Sequence, residues 1–445
     1  MPQKSQKIAS RFYPEIESKS KDEIKEFQEE KLRETIGYLA ENSPFYKRKF
    51  QEWNINPKDI QTLEDLQKIP LTTKDELNDN NWDFLCVDRT EIIDYVTTSG
   101  TLGEPVTFAL TANDLDRLAF NEALSYALAD CGKGDVIQLM TTIDKRFMAG
   151  LAYFLGAKDM GVGIVRVGSG VPQLHWDTIN RIQPTVIIAV PSFILKLIEF
   201  AEKNGIDYKN SSVKKAICIG EPLRNQDFSL NTLGQRITQK WDLQLFSTYA
   251  STEMSTAFTE CTHGKGGHHH PGLIIPEFIN ENGEPVQEGD PDNNLGGEVV
   301  FTTIGVEGMP LLRFKTGDLV HHYTEKCECG RTTLRLGPVL GRKKQMIKLK
   351  GTTVYPPAIY DILNNIKGVS NYVIEAYTND IGTDELLIHI GSKTHSDMFE
   401  HELKMALKAR IRVTPKIAFL PVDKIQQMQF PAMSRKPILF VDNRK

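Results

Sequence analysis

Thr185-Val186-Ile187-Ile188-Ala189-Val190-Pro191-Ser192 joins an unbroken apolar run to a proline and a hydroxyl residue. A run this short without polar alternation reads as a buried strand. Pro191 has no N–H to continue a ladder, and Ser192 offers an oxygen to the first free amides of a helix. The spacing therefore predicts a strand over 185–190 and a helix over 192–204 capped by Ser192. The same grammar repeats on both sides. Val136 to Met140, Gly163 to Val167 and Ala216 to Gly220 read as buried strands, and Asp114 to Ala129, Phe147 to Met160 and Gln226 to Lys240 as helices between them. Such alternation specifies an α/β fold whose strands pair in parallel through right-handed crossovers. The carboxyl edge of the sheet is expected at Pro191-Ser192, and Leu243 to Ser247 reads as a further strand.

Toward the amino end, Ile24, Phe27, Leu32, Ile36 and Leu39 stand at mostly helical spacings, and the pattern breaks at Asn42-Ser43-Pro44. Thr62 to Leu77 reads as two short capped helices flanking Pro70. Toward the carboxyl end, Ile274 to Thr303, with its Asn282-Gly283 turn and the strand Glu298 to Thr302, predicts a β-rich lobe. After Gly341-Arg342-Lys343-Lys344 the texture changes again. A strand over 346–350, a helix over 356–365, strands over 372–377 and 386–390, a helix over 397–411 and a strand over 416–420 follow in turn. That order is the signature of a small ferredoxin-like α+β domain. The expected division is a domain over 1–340, a hinge over 341–345 and a mobile domain over 346–445. It agrees with a length of 445 residues at roughly 150 residues per folding unit.

With 40% apolar residues, 25% charged residues and a formal net charge of -5, the composition is that of an ordinary soluble protein. It argues against sequence-independent nucleic-acid binding. Met1 to Arg11 has no apolar leader segment, and no apolar run nears the ~20 residues that span a bilayer, so the expected compartment is the cytosol. Six cysteines in so long a chain do not make a disulfide scaffold, and Cys86, Cys131 and Cys218 read as buried thiols.

Thr97-Thr98-Ser99-Gly100-Thr101-Leu102-Gly103-Glu104-Pro105 follows the apolar run Ile92 to Val96. Its hydroxyls, and amides free to converge at Gly100 and Gly103, suit a phosphate. The Gly-x4-Gly-Lys-[Ser/Thr] spacing is absent and Val106 to Phe108 reads as strand, so no helix N-terminus completes the site; the bland alternative is a plain turn. Thr248 to Glu253 is a polar segment with a lone aromatic and a carboxylate, and Leu311 to Asp318 brings charge next to a glycine turn. Cys327-Glu328-Cys329-Gly330 is a tight Cys-x-Cys turn. With Cys261 and His268 it supplies three soft thiolates and an imidazole, a closed tetrahedral set for a structural Zn2+. His263, His269 or His270 could replace His268, and three free thiols beside a surface histidine run is the alternative.

In this order the stretches 97–105, Tyr249 to Glu253, Arg313 to Asp318, Gly341 to Lys344 and Lys436 resemble the adenylate-forming superfamily. Ser43-Pro44-Phe45-Tyr46, Ile69-Pro70-Leu71-Thr72, Gly220-Glu221-Pro222 and Gly351-Thr352-Thr353-Val354-Tyr355-Pro356 resemble its phenylacetate-coenzyme A ligase branch, and the likeness runs from about residue 20 to 444. It implies a large amino-terminal adenylate-forming domain with mostly parallel sheets and a β-rich lobe, then a small carboxyl-terminal lid. It implies that Thr97, Thr98, Ser99, Gly100, Thr101 and Gly103 fold over the ATP phosphates, that Gly220, Glu221 and Pro222 belong to the nucleotide site, and that Tyr249 stacks near adenine. By the same likeness Thr252 donates to a phosphate and Glu253 holds Mg2+, an ion that favours one or two carboxylates plus phosphate oxygens. Asp318 would accept both ribose hydroxyls, a task for an ionised acceptor. Arg313 and Arg342 would contact the nucleotide. Lys344 would be the pivot that turns Gly351 toward the site, and Lys436 would bridge the substrate carboxylate and the α-phosphate. The bland readings are a surface turn at Thr252, surface ion pairs at Arg313 and Arg342, and a solvated tail lysine at Lys436. Many superfamily members carry Lys where this chain has Glu104, and Gly where it has Arg435. The arrangement of Cys261, His268, Cys327 and Cys329 is shared with part of the branch, which implies a structural zinc.

The implied function is AMP-forming ligation of an aryl or arylacetic-type carboxylic acid to coenzyme A. The acid is first activated as acyl-adenylate and then passed to the thiol. ATP, Mg2+, coenzyme A and structural Zn2+ are the implied cofactors. The partner is a small-molecule acid, with no nucleic acid and no membrane, and a homodimer is allowed. Two rivals stand beside this. One is an adenylating enzyme that hands the acyl or adenylyl group to a carrier protein or a cofactor hydroxyl. The other is a non-catalytic nucleotide-binding scaffold, motivated by Glu104 and Arg435. The acid itself is not legible. Met148 to Leu155 and Ala189 to Phe193 are expected to line its pocket, and the strand ending at Met140 is followed by Thr141-Thr142-Ile143 rather than by an aromatic able to stack on an aryl ring.

Overall fold

Ser43 and Pro44 break the first helical stretch as the sequence predicts. The Ser43 hydroxyl accepts from the Tyr46 amide and Pro44 takes the first helical position, separating α1 (Lys21–Asn42) from α2 (Pro44–Glu52). A capping box of Thr73 and Glu76 starts α3 (Lys74–Asp79). The computed structural model describes residues 7–98, 105–288, 296–349, 352–379, 384–393, 395–411, 413–431 and 437–444.

The first of two units comprises Met1–Leu230, Gly234–Thr316 and Val320–Pro338. An antiparallel hairpin of β1 (Ile92–Thr97) and β2 (Thr107–Thr111) leads into α4 (Ala112–Leu128), which opens on a capping box of Thr111 and Asp114. The chain then alternates β3 (Val136–Leu139), α5 (Met148–Met160), β4 (Gly163–Arg166), α6 (Pro172–Ile182), β5 (Val186–Ala189), α7 (Pro191–Asn204), β6 (Lys215–Ile219), α8 (Thr232–Lys240), β7 (Gln244–Ser251) and β8 (Thr256–Thr259). The sheet order is β4-β3-β5-β6-β7-β8. Its pairs are parallel except β7 with β8, so the α/β expectation is borne out. Tyr126, Tyr153, Ile137, Leu139, Val186, Ile188, Ile217 and Phe246 pack into one apolar cluster between sheet and helices. The β-rich lobe follows with β9 (Gly267–His268), β10 (Ile274–Ile279), β11 (Gly297–Thr303), β12 (Phe314–Val320), β13 (His322–Tyr323) and β14 (Arg335–Leu336).

Three details differ from the sequence reading. Helix α7 starts one residue earlier, with Pro191 as its first residue and Val190 at the cap, so Ser192 lies inside the helix. Proline's fixed φ and missing N–H suit it to that first position. The predicted helix over 226–240 begins only at Thr232, because the Asp227 carboxylate takes both the amide and the hydroxyl of Ser229 and closes a turn. Helix α6 went unread because His175 and Thr178 share its buried face with Trp176 and Ile179, which hides the apolar period.

The second unit comprises Asn231–Leu233, Gly317–Leu319 and Val339–Lys445. It holds β15 (Gly341–Arg342), β16 (Ile347–Leu349), β17 (Thr352–Val354), α9 (Pro356–Asn365), β18 (Asn371–Thr378), β19 (Asp384–Gly391), α10 (Asp397–Ile411), β20 (Lys416–Leu420), α11 (Val422–Gln429) and β21 (Phe440–Asn443). The α+β class holds, with a sheet of order β20-β19-β18-β21. Its fourth strand is not the expected 346–350 segment. That segment pairs with β17 in a separate hairpin, which leaves the edge of β18 to the carboxyl-terminal β21. Arg444 fastens β21 by donating to Asp442, Asp384 and the Met346 carbonyl. Among the described residues no helix is long and apolar enough to cross a membrane.

Candidate functional site

Parallel strands finish at one edge. The registers Ala189 to Cys218 and Ile219 to Thr248 therefore set Val190-Pro191-Ser192, Gly220-Glu221-Pro222 and Tyr249 to Glu253 side by side along the carboxyl ends of β5, β6 and β7. Strand β3 lies between β4 and β5, so the strand order reverses there. Open α/β sheets bind ligands in the crevice at such a switch point. Thr141 and Thr142 leave β3 at this place. The start of α5 packs directly on them, since a Cβ on Gly150 would lie 2.0 Å from the Thr142 carbonyl oxygen.

Gly220 has φ +79°, which glycine adopts freely. The neighbouring Glu221 carboxylate accepts from the Ser192 amide and from its hydroxyl, both at 2.8 Å. Negative charge thus sits at the positive end of α7, the capping role expected of Ser192, and the loop after β6 is tied to the start of that helix. Tyr249 is half-buried, pairs across the ladder with Phe258 and lies 6.2 Å from its ring. Thr252 opens a turn closed by the Ser255 amide, which donates to the Thr252 carbonyl at 3.3 Å. Glu253 on that turn is only 12% exposed, and Lys74 Nζ stands 3.4 Å from its Oε1. The sequence reading missed Lys74. The segment Leu71 to Lys74 runs beside Arg313 to Lys315, with the Thr72 amide donating to the Arg313 carbonyl and the Lys315 amide to the Thr72 carbonyl.

Thr97 and Thr98 are buried where the β1–β2 hairpin closes. The Thr98 amide donates to the Val106 carbonyl at 3.0 Å and the Val106 amide to Thr98 Oγ1 at 3.1 Å. Ser99, Gly100, Thr101, Gly103, Glu104, Gly351, Arg435 and Lys436 lie outside the described residues, as does the Lys344 side chain, whose backbone forms part of a 3-10 turn over Lys343–Gln345.

Arg313 is spent inside the first unit. Its guanidinium forks onto Glu277 at 2.7 to 3.1 Å and donates to the Ile69 carbonyl, with the residue buried and its φ at +48°. It clasps the 69–74 segment to the lobe rather than facing solvent. In the second unit Arg342 Nε donates to Asp318 Oδ1 at 2.9 Å; the carboxylate is 10% exposed and the arginine 46%.

Cys261, His268, Cys327 and Cys329 converge in the first unit, their ligand atoms all within 4.8 Å of one another. Cys261 and Cys327 sulfurs are 3.7 Å apart, and Cys329 Sγ is 3.6 Å from His268 Nε2. A tetrahedron with Zn–S of about 2.3 Å and Zn–N of about 2.0 Å has edges of roughly 3.8 and 3.5 Å, so the set fits that ion. The other histidines are otherwise engaged. His269 Nε2 lies 2.7 Å from the Ile274 carbonyl and His270 Nδ1 2.6 Å from Glu17, whereas His263 is paired with Glu328. Hydrogen bonds from Cys261 and then Cys327 draw the Cys329 thiol well below its usual range, and Arg331 Nη1 donates to that sulfur at 3.6 Å. Burial holds His268 neutral by lowering it from its ordinary range.

The family model described as AMP-binding enzyme matches residues 19–307. The phenylacetate-coenzyme A ligase of Thermus thermophilus is 29% identical over 92% of this chain and 95% of its own length. That of Pseudomonas putida is 30% identical over 84% of this chain and 83% of its own. A crystal structure of 2-hydroxyisobutyryl-CoA ligase, in the postadenylation state, superposes with a TM-score of 0.83 at 22% identity, covering 98% of this chain and 93% of that one.

Proposed function

The chain belongs to the AMP-binding enzyme family, in its phenylacetate-coenzyme A ligase branch, and from that premise we infer that it is an AMP-forming carboxylic acid–coenzyme A ligase. In the first half-reaction the acid's carboxylate attacks the α-phosphate of ATP in line and pyrophosphate leaves. In the second the coenzyme A thiol attacks the acyl-adenylate carbonyl and AMP leaves. The observation that carries the reading is the line-up of Gly220-Glu221-Pro222 beside Tyr249 to Glu253 at the carboxyl edge of the parallel sheet.

Each residue's part follows from its chemistry. Tyr249 borders the adenine, Thr252 donates to a phosphate, and Glu253 is the carboxylate that would hold Mg2+, which when bound neutralises phosphate charge. One largely buried carboxylate fits that ion, and Lys74 beside it supplies a second cation for the polyphosphate. Asp318 accepts the ribose hydroxyls, and Arg342, already bonded to it, orients that acceptor. Thr97 to Gly103 enclose the phosphates, Lys436 meets the charge that builds between carboxylate and α-phosphate, and residues 341–345 are the hinge between half-reactions, with Lys344 as pivot and Gly351 facing the second. Arg313 would reach the nucleotide only with the donors left over from Glu277 and Ile69. Cys261, His268, Cys327 and Cys329 would hold a structural zinc with no open position. An aryl or arylacetic acid is the proposed substrate, supported by what the curated relatives are named for, and the cytoplasm the proposed compartment, supported by six cysteines none of which is in a disulfide.

ATP–pyrophosphate exchange across aryl acetates, benzoates and fatty acids, run with and without coenzyme A, tests this. Exchange with an aryl acid and thiol-dependent AMP release is expected. ATP binding with no exchange for any acid would overturn it, and exchange without thiol-dependent release would move the acyl group to another acceptor.

A further inference from the structure

Arg117 projects from α4 into the first unit and is buried. Its Nε donates to the Ile304 carbonyl at 2.7 Å, Nη1 to the Ser255 carbonyl at 2.5 Å, and Nη2 to Thr256 Oγ1 at 3.0 Å and to the Leu273 carbonyl at 2.5 Å. Three carbonyls and a hydroxyl from three separate segments thus share one guanidinium. The acid one turn away, Asp114, is engaged by the amides of Glu307, Gly308 and Thr111 at 2.7 to 3.0 Å. Arg117 is therefore aimed at backbone rather than at a carboxylate.

Ser255 is where this matters. It closes the turn that bears Thr252 and Glu253, both its amide and its hydroxyl donating to the Thr252 carbonyl at 3.3 Å, and its φ is +47°. A residue other than glycine stays in the left-handed region only where its surroundings over-determine it. Here the amide side is fixed by Thr252 and the carbonyl side by Arg117. Lysine could not substitute, since a single ammonium lacks the planar fork of five donors that reaches several acceptors at once.

We propose that Arg117 is a positioning residue for adenylation, holding the backbone on the far side of Ser255 so that the turn presents Thr252 and Glu253 to Mg-ATP. The proposal rests on the roles given to those two residues above. Arg117 touches neither and acts through the turn.

The test measures the Mg2+ concentration that half-saturates ATP–pyrophosphate exchange, at saturating ATP and acid, for wild type, Arg117→Lys, Thr256→Val and Glu253→Gln, with Tm recorded for each. Arg117→Lys should raise that concentration on the order of tenfold, as expected for a slight misplacement of a binding group, with the KM for the acid unchanged. Adding Ser255→Gly to Arg117→Lys should restore most of the Mg2+ response, because glycine holds that φ without help. Thr256→Val, which removes one acceptor and leaves the arginine, should shift the response in the same direction by less and covers the case in which Arg117→Lys fails to fold. A lowered Tm with an unchanged Mg2+ response in Arg117→Lys, or in Thr256→Val if it alone folds, overturns the proposal while Glu253→Gln still shifts. If Glu253→Gln itself leaves the Mg2+ response unchanged, the reading of Glu253 fails and takes the proposal with it.

Discussion

Replacing Glu17 by glutamine should destabilise the first unit by about 3 kcal/mol at pH 7, and the deficit should shrink in acid. Glu17 accepts from His270 Nδ1 at 2.6 Å and from Arg331 Nε at 2.7 Å, and the three side chains are at most 4% exposed. Removing one partner of such a pair costs about 3–5 kcal/mol, because the other charge stays buried. The carboxyl's own titration gives a second route. Burial pushes it up, but His270 and then Arg331 outweigh burial and hold it at about 2 against an ordinary 4.5. At about 1.4 kcal/mol per pH unit that drop is worth about 3 kcal/mol, so the two routes agree. A depressed carboxylate stabilises fully above its unfolded value of 4.5 and loses that contribution as pH falls toward about 2. At pH 3 roughly 1.5 kcal/mol of it remains. Urea unfolding of wild type and Glu17→Gln at pH 7 and pH 3 reads the difference directly, and melting at pH 7 should show a Tm lower by roughly 6–12 °C, at 2–4 °C per kcal/mol. Equal stabilities at pH 7, or a deficit as large at pH 3 as at pH 7, would refute the reasoning.

Glu122 has the opposite sign. It is buried, its Oε2 has no hydrogen-bond partner among the described residues, and burial pushes its carboxyl up to about 8. A carboxyl raised above its unfolded value of 4.5 makes the fold lose about 1.4 kcal/mol per pH unit between 4.5 and 8, so Glu122→Gln should flatten that slope; parallel pH profiles for the two proteins would count against it. Cys329→Ser should abolish zinc measured by plasma emission spectrometry in the purified chain and lower the Tm, and a wild-type chain without zinc would remove the site. Lys436→Ala should slow acyl-adenylate formation by roughly two to three orders of magnitude, while leaving thioester formation from supplied acyl-AMP within a few-fold. Equal loss in both half-reactions would contradict that role.

The candidate stretches were legible because they are short and contiguous. Thr97-Thr98, Gly220-Glu221-Pro222 and Tyr249 to Glu253 each lie at the end of a strand, and the parallel register brings the latter two to one edge. The cluster of three cysteines and a histidine was legible in type, but which histidine joins it was not. Only the placement of His269 and His270 against Ile274 and Glu17 leaves His268 facing the sulfurs. The fork of Arg313 onto Glu277 was not legible, because sequence position cannot reveal where a long side chain spends its donors. Lys74 and Arg117 were invisible for the same reason. Their partners, Glu253 and Ser255, lie far along the chain and no local period links them.

Local chemistry by itself determined the α/β alternation, the helix breaks, the β-rich lobe, the α+β tail and the residue types available for nucleotide and metal. These follow from proline, capping residues and apolar runs, whose effects reach only a few residues. Tertiary structure alone decided which strand closes the second unit's sheet, where 346–350 gave way to Phe440–Asn443. It also decided that Glu221, not Ser192, supplies the charge at the start of α7. Pairing partners and buried ion partners are chosen by which groups remain unsatisfied once the chain has collapsed, and that competition is settled between segments distant in sequence.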